Sequence, residues 1–350
     1  MKKRVFKLKS LLLSLLLIVT VSFSLSAQEA RKEYSENFDV DKGVTLNTDT
    51  KYSDVELITW DKSEVDILAV VEVKAPSQNR AEEALRKVDI QIGKSGTNIS
   101  VVTEMEKGWS KNVKTSIKIT IKAPAWLKLD LESSYGDLFI QEASELVQID
   151  MRYGNLKAGT LSRGEVKPFS TIDMAYSDAV IDEAGWIDLE LAYSDMEINV
   201  SDMLFVESKY SKLLGEKAGG IVSEGAYDKY YLDEVDSFIG ELKYSGIKFD
   251  RLNKVLELNS GYTGVKIGTL SKDFSKVDAE LAYGNLSVGM EAGASFKFTG
   301  EAKYGNVNIA TDDRLSKTKE NNYVKVWGTV GSNPKATIHV ITKYGNSSFE

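Results

Sequence analysis

The stretch ELAYGNLSVG, residues 280–289, combines a tyrosine, a Gly-Asn pair that suits a tight turn, and a strand-like alternation of apolar and polar residues. The same arrangement occurs in DMRYGNLKAG at 150–159, ELAYSDMEIN at 190–199 and EAKYGNVNIA at 301–310. Self-similarity at a regular spacing is the sequence sign of a repeat architecture. This repeat therefore decides the fold class of the chain.

The repeat is centred on eleven tyrosines. Successive tyrosines lie 17 to 23 residues apart, except for the last two, which are 40 apart, a gap that predicts one degenerate repeat between them. Tyr52, in TKYSDVELI, is an isolated earlier copy. The repeat tyrosines are Tyr135, Tyr153, Tyr176, Tyr193, Tyr210, Tyr227, Tyr244, Tyr262, Tyr283, Tyr304 and Tyr344.

Each repeat predicts two strands joined at a corner. The positions six residues before and five residues after the tyrosine are almost always apolar, as Leu129 and Ile140 are around Tyr135. Between them apolar and polar residues alternate, which is the period of a half-buried strand. The two residues after the tyrosine are Gly-Asn, Gly-Asp or Ser-Asp in most repeats, and these tolerate tight-turn geometry.

Two all-β architectures fit this pattern, a parallel β-solenoid and an antiparallel β-meander. In the solenoid, equivalent positions stack on the neighbouring coil about 4.8 Å away. In the meander each repeat is a hairpin, which would place Glu207 opposite Glu216 and Glu241 opposite Asp250. Directly opposed like charges destabilise a hairpin by up to about 1 kcal/mol each. The charges therefore favour a solenoid with coils of about 17–21 residues, and the meander remains the alternative.

A row of acids lies three residues before the tyrosines, on the face opposite the apolar positions. One interpretation is a solvated charged face, partly compensated by Arg152, Lys209, Lys243 and Lys303. The other is a bound cation such as Ca²⁺, which takes six to eight oxygen ligands. The first is favoured because carboxylates spaced singly rarely supply that many oxygens. The candidate cation ligands are Glu190, Glu207, Glu224 and Glu241; the rest of the row is Glu132, Asp150, Asp173, Glu280 and Glu301.

The tyrosine column has a structural and a binding interpretation. Stacked tyrosines bury a large area with ring centres about 5 Å apart, and they share parity with the apolar columns, so we expect them to face inward or to lie over the corner. An exposed aromatic strip could also bind carbohydrate. The structural interpretation is favoured.

Few residues are suited to catalysis. His339 is the one histidine and there is no cysteine, which excludes Cys–His nucleophiles and His-rich zinc sites. His339 lies in the alternation ATIHVIT and is predicted to be an outward-facing strand residue. We predict no catalytic and no cofactor-binding residues. An acid-pair glycan-active enzyme is the least favoured function, because short regular coils offer no obvious pocket.

The first 27 residues predict a secretory signal peptide: five cations, an apolar run from Leu11 to Val21, and a small residue, Ala27, at the expected cleavage site. Cleavage at Ala30 is the alternative. Removing those five cations and no acids leaves 39 Lys plus Arg against 52 Asp plus Glu, a net charge of −13. So acidic a chain argues against nucleic acid and anionic lipid as partners.

The mature chain is expected in the periplasm or outside the cell. It has no cysteine, which excludes both disulfides and the lipid-anchoring cysteine of a lipoprotein. No second apolar stretch reaches transmembrane length. The expected partner is a protein or a glycan of unknown identity.

Residues 28–127 differ from the repeats at 128–350 and predict a β-rich N-terminal cap. Such a cap protects the apolar edge of a repeat array. The segment SQNRAEEALRKVDIQI, which starts at Ser77, predicts one short helix capped by Ser77 or Asn79 and burying Ala81, Ala84, Leu85 and Val88. The flanking segments VTLNTDTKYSDVELITW, EVDILAVVEVKA, TNISVVTEM and TSIKITIKAP predict strands.

Together the opening GVTLNTDTKYSDVELITWDKSEVDI, the segment IKAPAWLKLDLESSYGDL and the serial YGN or YSD turns resemble the bacterial exported putative-adhesin domain family. The resemblance spans nearly all of the mature chain. It implies a right-handed β-solenoid and an exported location, and it brings no catalytic or binding residues to transfer. The chain departs from the family by placing tyrosine where many members have a small polar residue.

Three functions follow in order of preference. The first is an exported, non-enzymatic solenoid that acts in adhesion or interaction at the cell envelope or cell surface. The second is a carbohydrate- or cation-binding solenoid that uses the tyrosine column or the acidic row. The third is the acid-pair enzyme.

Overall fold

The computed structural model of the chain describes residues 28–106, 108, 112–311 and 313–350. The predicted signal peptide, residues 1–27, lies outside the described residues. Within them the chain is built from 26 strands and one helix, which confirms the all-β prediction. No helix in the described part is long and apolar enough to cross a membrane.

The N-terminal region contains seven strands and the helix. The strands expected at 44–60, 64–75, 97–105 and 115–124 are present, and β1 and β5 are additional strands that sequence analysis missed. The elements are β1 (Gln28–Asp39), β2 (Thr45–Lys51), β3 (Ser53–Thr59), β4 (Glu64–Ala75), α1 (Gln78–Leu85), β5 (Val88–Ser95), β6 (Asn98–Met105) and β7 (Lys114–Ala123).

The central array contains the repeats. Five of its strands, β13 to β17, run unbroken from one tyrosine corner to the next and so contribute to both sides of the solenoid. The elements are β8 (Lys128–Ser134), β9 (Leu138–Ala143), β10 (Val147–Arg152), β11 (Asn155–Leu161), β12 (Ser170–Ala175), β13 (Asp178–Ala192), β14 (Asp195–Lys209), β15 (Lys212–Ala226), β16 (Lys229–Lys243), β17 (Gly246–Gly261), β18 (Gly264–Leu270), β19 (Lys276–Ala282) and β20 (Leu286–Met290).

Six strands form the C-terminal end. They are β21 (Phe296–Lys303), β22 (Val307–Ile309), β23 (Ser316–Glu320), β24 (Tyr323–Val330), β25 (Ala336–Lys343) and β26 (Ser347–Phe349).

Neighbouring coils pair in parallel and in register. Along β13, β14 and β15 each residue lies beside the one seventeen positions later, so that Leu204 pairs with Ile187 on one side and Ile221 on the other. The repeat array is therefore a solenoid, as predicted, and the antiparallel meander is wrong for it. Antiparallel pairs occur only near the ends of the array among the described strands, in β1–β4–β7, β5–β6 and β21–β24–β23.

The core lies between the two sides of the solenoid, where the predicted apolar columns stack. Its side chains complement one another in size. Ser223 and Gly240 leave room in consecutive coils, and the rings of Tyr230 and Phe238 fill the interior there, with centroids 5.6 Å apart. The Tyr230 hydroxyl is paired with the hydroxyls of Ser208 and Ser223, at 2.9 Å and 2.7 Å. Because the three hydroxyls of this group are all hydrogen-bonded and the rings are closely packed, the core can hold these polar atoms at little cost.

The N-terminal end is closed by two antiparallel units. Strand β6 of the β5–β6 hairpin pairs with β2, and β7 of the β1–β4–β7 sheet pairs with β3. Because β2 and β3 in turn pair with β8 and β9, the coil carrying Tyr52 is the first coil of the array.

Helix α1 differs in detail from its prediction. Ser77 occupies the N-cap position, but its side chain makes no capping hydrogen bond. Ala81 and Ala84 are buried and Leu85 is half-buried, as expected. Val88 is buried as part of β5, because the helix ends at Leu85.

The C-terminal end is not serial. Strand β25 lies between β19 and β21 and pairs in parallel with both, so the last repeat in sequence is the penultimate coil in space. The β23–β24 hairpin then covers the outer edge of β21 in antiparallel fashion. The degenerate repeat predicted between Tyr304 and Tyr344 is therefore wrong: that segment forms the covering hairpin.

Candidate functional site

The tyrosine column forms one continuous ladder along the corner of the solenoid. Twelve rings, Tyr52 included, make eleven stacked contacts with centroids 4.7–5.1 Å apart and planes within 14° of parallel. Every ladder tyrosine has a positive φ, between 52° and 65°. This left-handed corner conformation turns the side chain out of the core, so each ring is about half exposed, from 42% at Tyr210 to 56% at Tyr52. The rings therefore lie over the corner, which was one of the two expectations. The other, that they face inward, is wrong.

The stacking limits what the ladder can bind. A sugar ring stacks on the face of an aromatic ring, but in this ladder the faces cover one another and only edges and hydroxyls meet solvent. One outer face is left uncovered by the ladder at each end, on Tyr52 and Tyr304. The geometry thus supports the structural interpretation of the column.

Beneath the tyrosines, the residue that follows the tyrosine forms a buried polar ladder in the coils where that residue is not glycine. In the central coils its hydroxyl donates to the carbonyl two residues earlier and accepts a hydrogen bond from the backbone N–H of the equivalent residue one coil before, as Ser194 and Ser211 do at 3.2 Å. The series is Ser177, Ser194, Ser211, Asp228, Ser245 and Thr263. Sequence analysis assigned these positions only to the turn and missed their hydrogen bonds.

Asp228 is the exception in this buried ladder. Its Oδ1 accepts the N–H of Ser211 at 2.9 Å, whereas Oδ2 is buried without a hydrogen-bond partner among the described residues. Burial raises the pKa of this carboxyl, and its hydrogen bonds offset that only in part. Gly225 leaves the space beside it, since a Cβ there would lie 2.3 Å from Oδ2.

The acidic row is in register as predicted, and three acids toward its ends, Asp150, Asp173 and Glu301, have basic partners. Arg152 binds both carboxylate oxygens of Asp173, at 2.8 Å and 2.9 Å. Near the other end Lys325 donates to Glu301 at 2.8 Å, and this hydrogen bond is the largest cause that holds the pKa of Glu301 below its usual range. Arg152 is thus a compensating cation, as expected. Lys209 and Lys303 instead place their Nζ atoms 5.8 Å and 5.7 Å from the ring centroids of the adjacent tyrosines.

The middle of the row has no such partners. We call Glu190, Glu207, Glu224 and Glu241 the central acidic row. They are exposed and lie one strand apart in direct register. Among the described residues, none of these four carboxylates makes an ion pair or a hydrogen bond. Nor does any group of three or more His, Asp or Glu in the described chain have the arrangement of a metal site.

An apolar strip runs beside the central acidic row. It consists of Phe205, Val222 and Ile239, which pair in register and lie two residues before Glu207, Glu224 and Glu241. Ile239 is 43% exposed, and the other two are partly exposed. At one end Phe169 and Trp186 pack on Phe205, with ring centroids 5.4 Å and 6.0 Å away. The strip and the acids line one shallow groove of about 600 Å³.

Phe169, which stacks on the groove residue Phe205, lies in the loop 162–169 between β11 and β12. This loop corresponds to the longest of the regular spacings, the 23 residues between Tyr153 and Tyr176. Burial beside the groove raises the pKa of Asp188, and Lys167 in the same loop offsets this only in part. Sequence analysis placed the acids of this groove but missed its apolar floor. The signal available was the apolar run at the position five residues before Tyr210, Tyr227 and Tyr244.

His339 faces outward, as predicted. Its Nδ1 lies 3.1 Å from Oδ1 of Asp278 on the adjacent coil. Burial alone would raise the pKa of Asp278, but hydrogen bonds from His339 and Lys276 hold it below its usual range. These three residues form a polar surface cluster across β19 and β25, and the pairing of those two strands could not be predicted from a serial repeat.

Comparison with known proteins gives matches among solved structures alone. No protein-family model matches the chain. No curated protein matches it either.

Among solved structures, a putative adhesin of Bacteroides fragilis is similar, with 12% identity, a TM-score of 0.34, and coverage of 67% of this chain and 97% of that one. A putative adhesin of Parabacteroides distasonis matches with 10% identity, a TM-score of 0.30, and coverage of 91% and 97%. A putative adhesin of Parabacteroides merdae matches with 9% identity, a TM-score of 0.32, and coverage of 91% and 96%. Such low identities and scores identify no ligand.

Proposed function

We propose that this chain is an exported, non-enzymatic interaction module that acts in adhesion at the cell envelope or cell surface. It binds a protein or glycan partner through the outer side of its solenoid. The observation that carries the proposal is the central acidic row beside the apolar strip: unpaired charges and exposed apolar side chains held on a rigid sheet are typical of a binding surface.

The geometry of the groove is consistent with binding rather than turnover. The groove is open, and its carboxylates lie in one row instead of facing each other across a cleft, which is what a glycoside hydrolase requires. The backbone of such a surface should move little on binding, since each coil is held in place by its neighbours.

The test uses the purified chain from Gln28 onward. It is applied to a glycan array and to immobilised extracellular-matrix proteins, with and without millimolar calcium, and the bound material is then analysed by mass spectrometry. We expect saturable binding that leaves the partner chemically unchanged. Cleaved glycan products would overturn the proposal in favour of the acid-pair enzyme, and no binding to any surface would overturn it outright.

The proposed location has its own test. An epitope-tagged full-length chain expressed in a bacterial host should be found in the periplasmic or surface fraction, without its first residues. Recovery of the uncleaved chain in the cytoplasm would contradict the exported location.

Cation binding is the second candidate, and the unpaired central acidic row favours it. Adjacent carboxylates about 5 Å apart repel each other by about 1 kcal/mol in water, so a cation between them would stabilise the fold. A melting temperature that rises in millimolar calcium relative to chelator would support the idea, and the rise should vanish in Glu207→Gln/Glu224→Gln. An unchanged melting temperature in the unsubstituted chain would exclude it.

A further inference from the structure

The groove itself indicates which chemistry a partner should have. In three successive coils an apolar side chain and a carboxylate project side by side, as Phe205 and Glu207 do, and this pairing occurs only where the acids lack internal partners in the described chain. At Glu132 and Glu280, in the same column, the neighbouring position is instead acidic, Asp130 or Asp278. Apolar contact and negative charge therefore coincide at one place on the array.

The spacing of the coils favours a helix as the occupant. Coils repeat every ~4.8 Å along the solenoid axis, close to the 5.4 Å pitch of an α-helix. A helix lying along the axis would thus meet about one carboxylate per turn over three turns. An extended strand in the same direction places equivalent side chains about 6.7 Å apart, and it would fall out of step with the acids after one or two coils.

We infer that this groove binds a cationic amphipathic helix of a polypeptide partner. The inference rests on the proposed interaction function and names its partner class. One stripe of the helix packs on the apolar strip, and the adjacent row of Lys or Arg pairs with the central acidic row. Phe169 and Trp186 pack on Phe205 at one end of the apolar strip.

The helix would supply what the groove lacks. Its cations would relieve the repulsion between Glu190, Glu207, Glu224 and Glu241, and its apolar stripe would remove Ile239 and its neighbours from water. A small polyvalent cation could do only the first, and a neutral glycan only the second. Binding therefore requires both features on one ligand.

The probe is a fluorescent peptide of about four helical turns, built from leucine, lysine and alanine so that leucines and lysines occupy adjacent faces. A scrambled peptide of the same composition keeps the charge but not the two faces. Binding to the chain from Gln28 onward is measured by fluorescence anisotropy. We expect the amphipathic peptide to bind at least tenfold more tightly than the scrambled one, and more weakly as salt rises from about 0.05 M to about 0.5 M.

Two double variants locate the binding. Glu207→Gln/Glu224→Gln should weaken binding about fivefold, as expected for two exposed ion pairs. Glu132→Gln/Glu280→Gln removes the same charge from the same column outside the apolar strip and should leave binding within twofold. Val222→Thr/Ile239→Thr keeps β-branched residues in the strands and should also weaken binding.

Several results would overturn the inference: no binding of the amphipathic peptide, equal binding of the scrambled peptide, or equal loss in the two charge variants. If the Glu207/Glu224 variant failed to fold, the comparison of the two peptides on the unsubstituted chain would still decide. A chain that binds glycans or matrix proteins but not this peptide would overturn this inference and leave the proposed function standing.

Discussion

Each corner tyrosine holds a backbone conformation that an L-residue adopts at a cost. The left-handed region costs roughly 1–2 kcal/mol for a residue with a Cβ, and every ladder tyrosine lies in it. Aromatic pairs contribute about 0.5–1.5 kcal/mol beyond their buried area. An interior rung stacks on two neighbours, so the stacking offsets the strain. This explains why a large aromatic residue, and not glycine, occurs at each corner.

Replacing an interior rung should therefore separate stacking from strain. Tyr210→Ala loses two stacked contacts and keeps the strained corner, so we expect it to lower the free energy of unfolding by about 2 kcal/mol. Tyr210→Asn should cost about 1 kcal/mol, because asparagine tolerates the left-handed region. Urea denaturation followed by circular dichroism measures both.

The terminal rung is the control for this prediction. Tyr304 stacks only on Tyr344, so Tyr304→Ala should cost about half as much as Tyr210→Ala. Equal costs at Tyr210 and Tyr304 would show that stacking is not what stabilises the ladder.

Asp228 is the one titratable member of the buried polar ladder, and its effect on stability depends on pH. Burial raises its pKa, so the folded chain holds this proton more tightly than the unfolded chain does. The resulting stabilisation is complete below the ordinary aspartate pKa, about 3.9, and is lost as pH rises through the raised value in the folded state. At neutral pH the buried carboxyl therefore weakens the fold.

Asp228→Ser should restore the hydroxyl pattern of its neighbours. We expect it to stabilise the chain by about 1 kcal/mol at pH 7, with a gain that shrinks as the pH falls towards 3. Denaturant melts at both pH values check this. Asp233→Ser, which removes a charge from an exposed strand position, should give no comparable gain. A gain for Asp228→Ser that is the same at both pH values would contradict the buried-carboxyl explanation.

At the level of the element, coils approach so closely at some corners that only glycine fits. A Cβ on Gly284 would lie 2.0 Å from the carbonyl oxygen of Thr263, and one on Gly345 would lie 1.8 Å from that of Gly284. Backbone atoms cannot move aside as side-chain ends can. Where the corner residue is serine, as in the central coils, its hydroxyl takes part in the coil-to-coil hydrogen bonds instead.

Glycine substitutions should then differ sharply with position. Gly284→Ala should destabilise the array by about 3 kcal/mol through overpacking of backbone. Gly246→Ala should be nearly neutral, since a Cβ there meets nothing within 4 Å and its φ is not positive. Thermal melting of the two variants checks the contrast, and similar melting temperatures would count against the close-approach argument.

For the whole molecule, the order of coils in space is not the order in sequence at the C-terminus. Strand β25 separates β19 from β21, so β21 and its covering hairpin are attached to the array through the last residues of the chain. In a solenoid each coil contacts only its neighbours, and the loss of one coil therefore uncouples what lies beyond it.

A chain that ends at Lys335 should show this dependence. Without β25 and β26, we expect Phe296–Lys303 to lose its protection against hydrogen exchange, whereas the central coils around Tyr210 keep theirs. Hydrogen exchange measured by mass spectrometry gives both values. Protection of Phe296–Lys303 equal to that of the complete chain would show that β21 docks without the inserted strand.

The candidate site could be predicted in part. The acidic row could be located by counting from the tyrosines, because a parallel in-register array stacks equal positions. The basic partners of the row could not be predicted in the same way, because Lys325 reaches Glu301 from a hairpin that carries no repeat. Lys209, two residues from Glu207, lies over a tyrosine ring instead. Which carboxylates stay unpaired depends on contacts between coils and loops far apart in sequence.

The sequence by itself determined the period of the repeat and its apolar columns, because one short period repeated many times leaves few ways to bury the apolar positions. It favoured the solenoid over the meander through the charges that a hairpin would place opposite each other. Only the tertiary structure decided that the tyrosines turn outward, that the last strand inserts between two earlier coils, and that the four acids of the central acidic row have no basic partner among the described residues. These features arise from backbone handedness at the corners and from long-range pairing, which a local period does not specify.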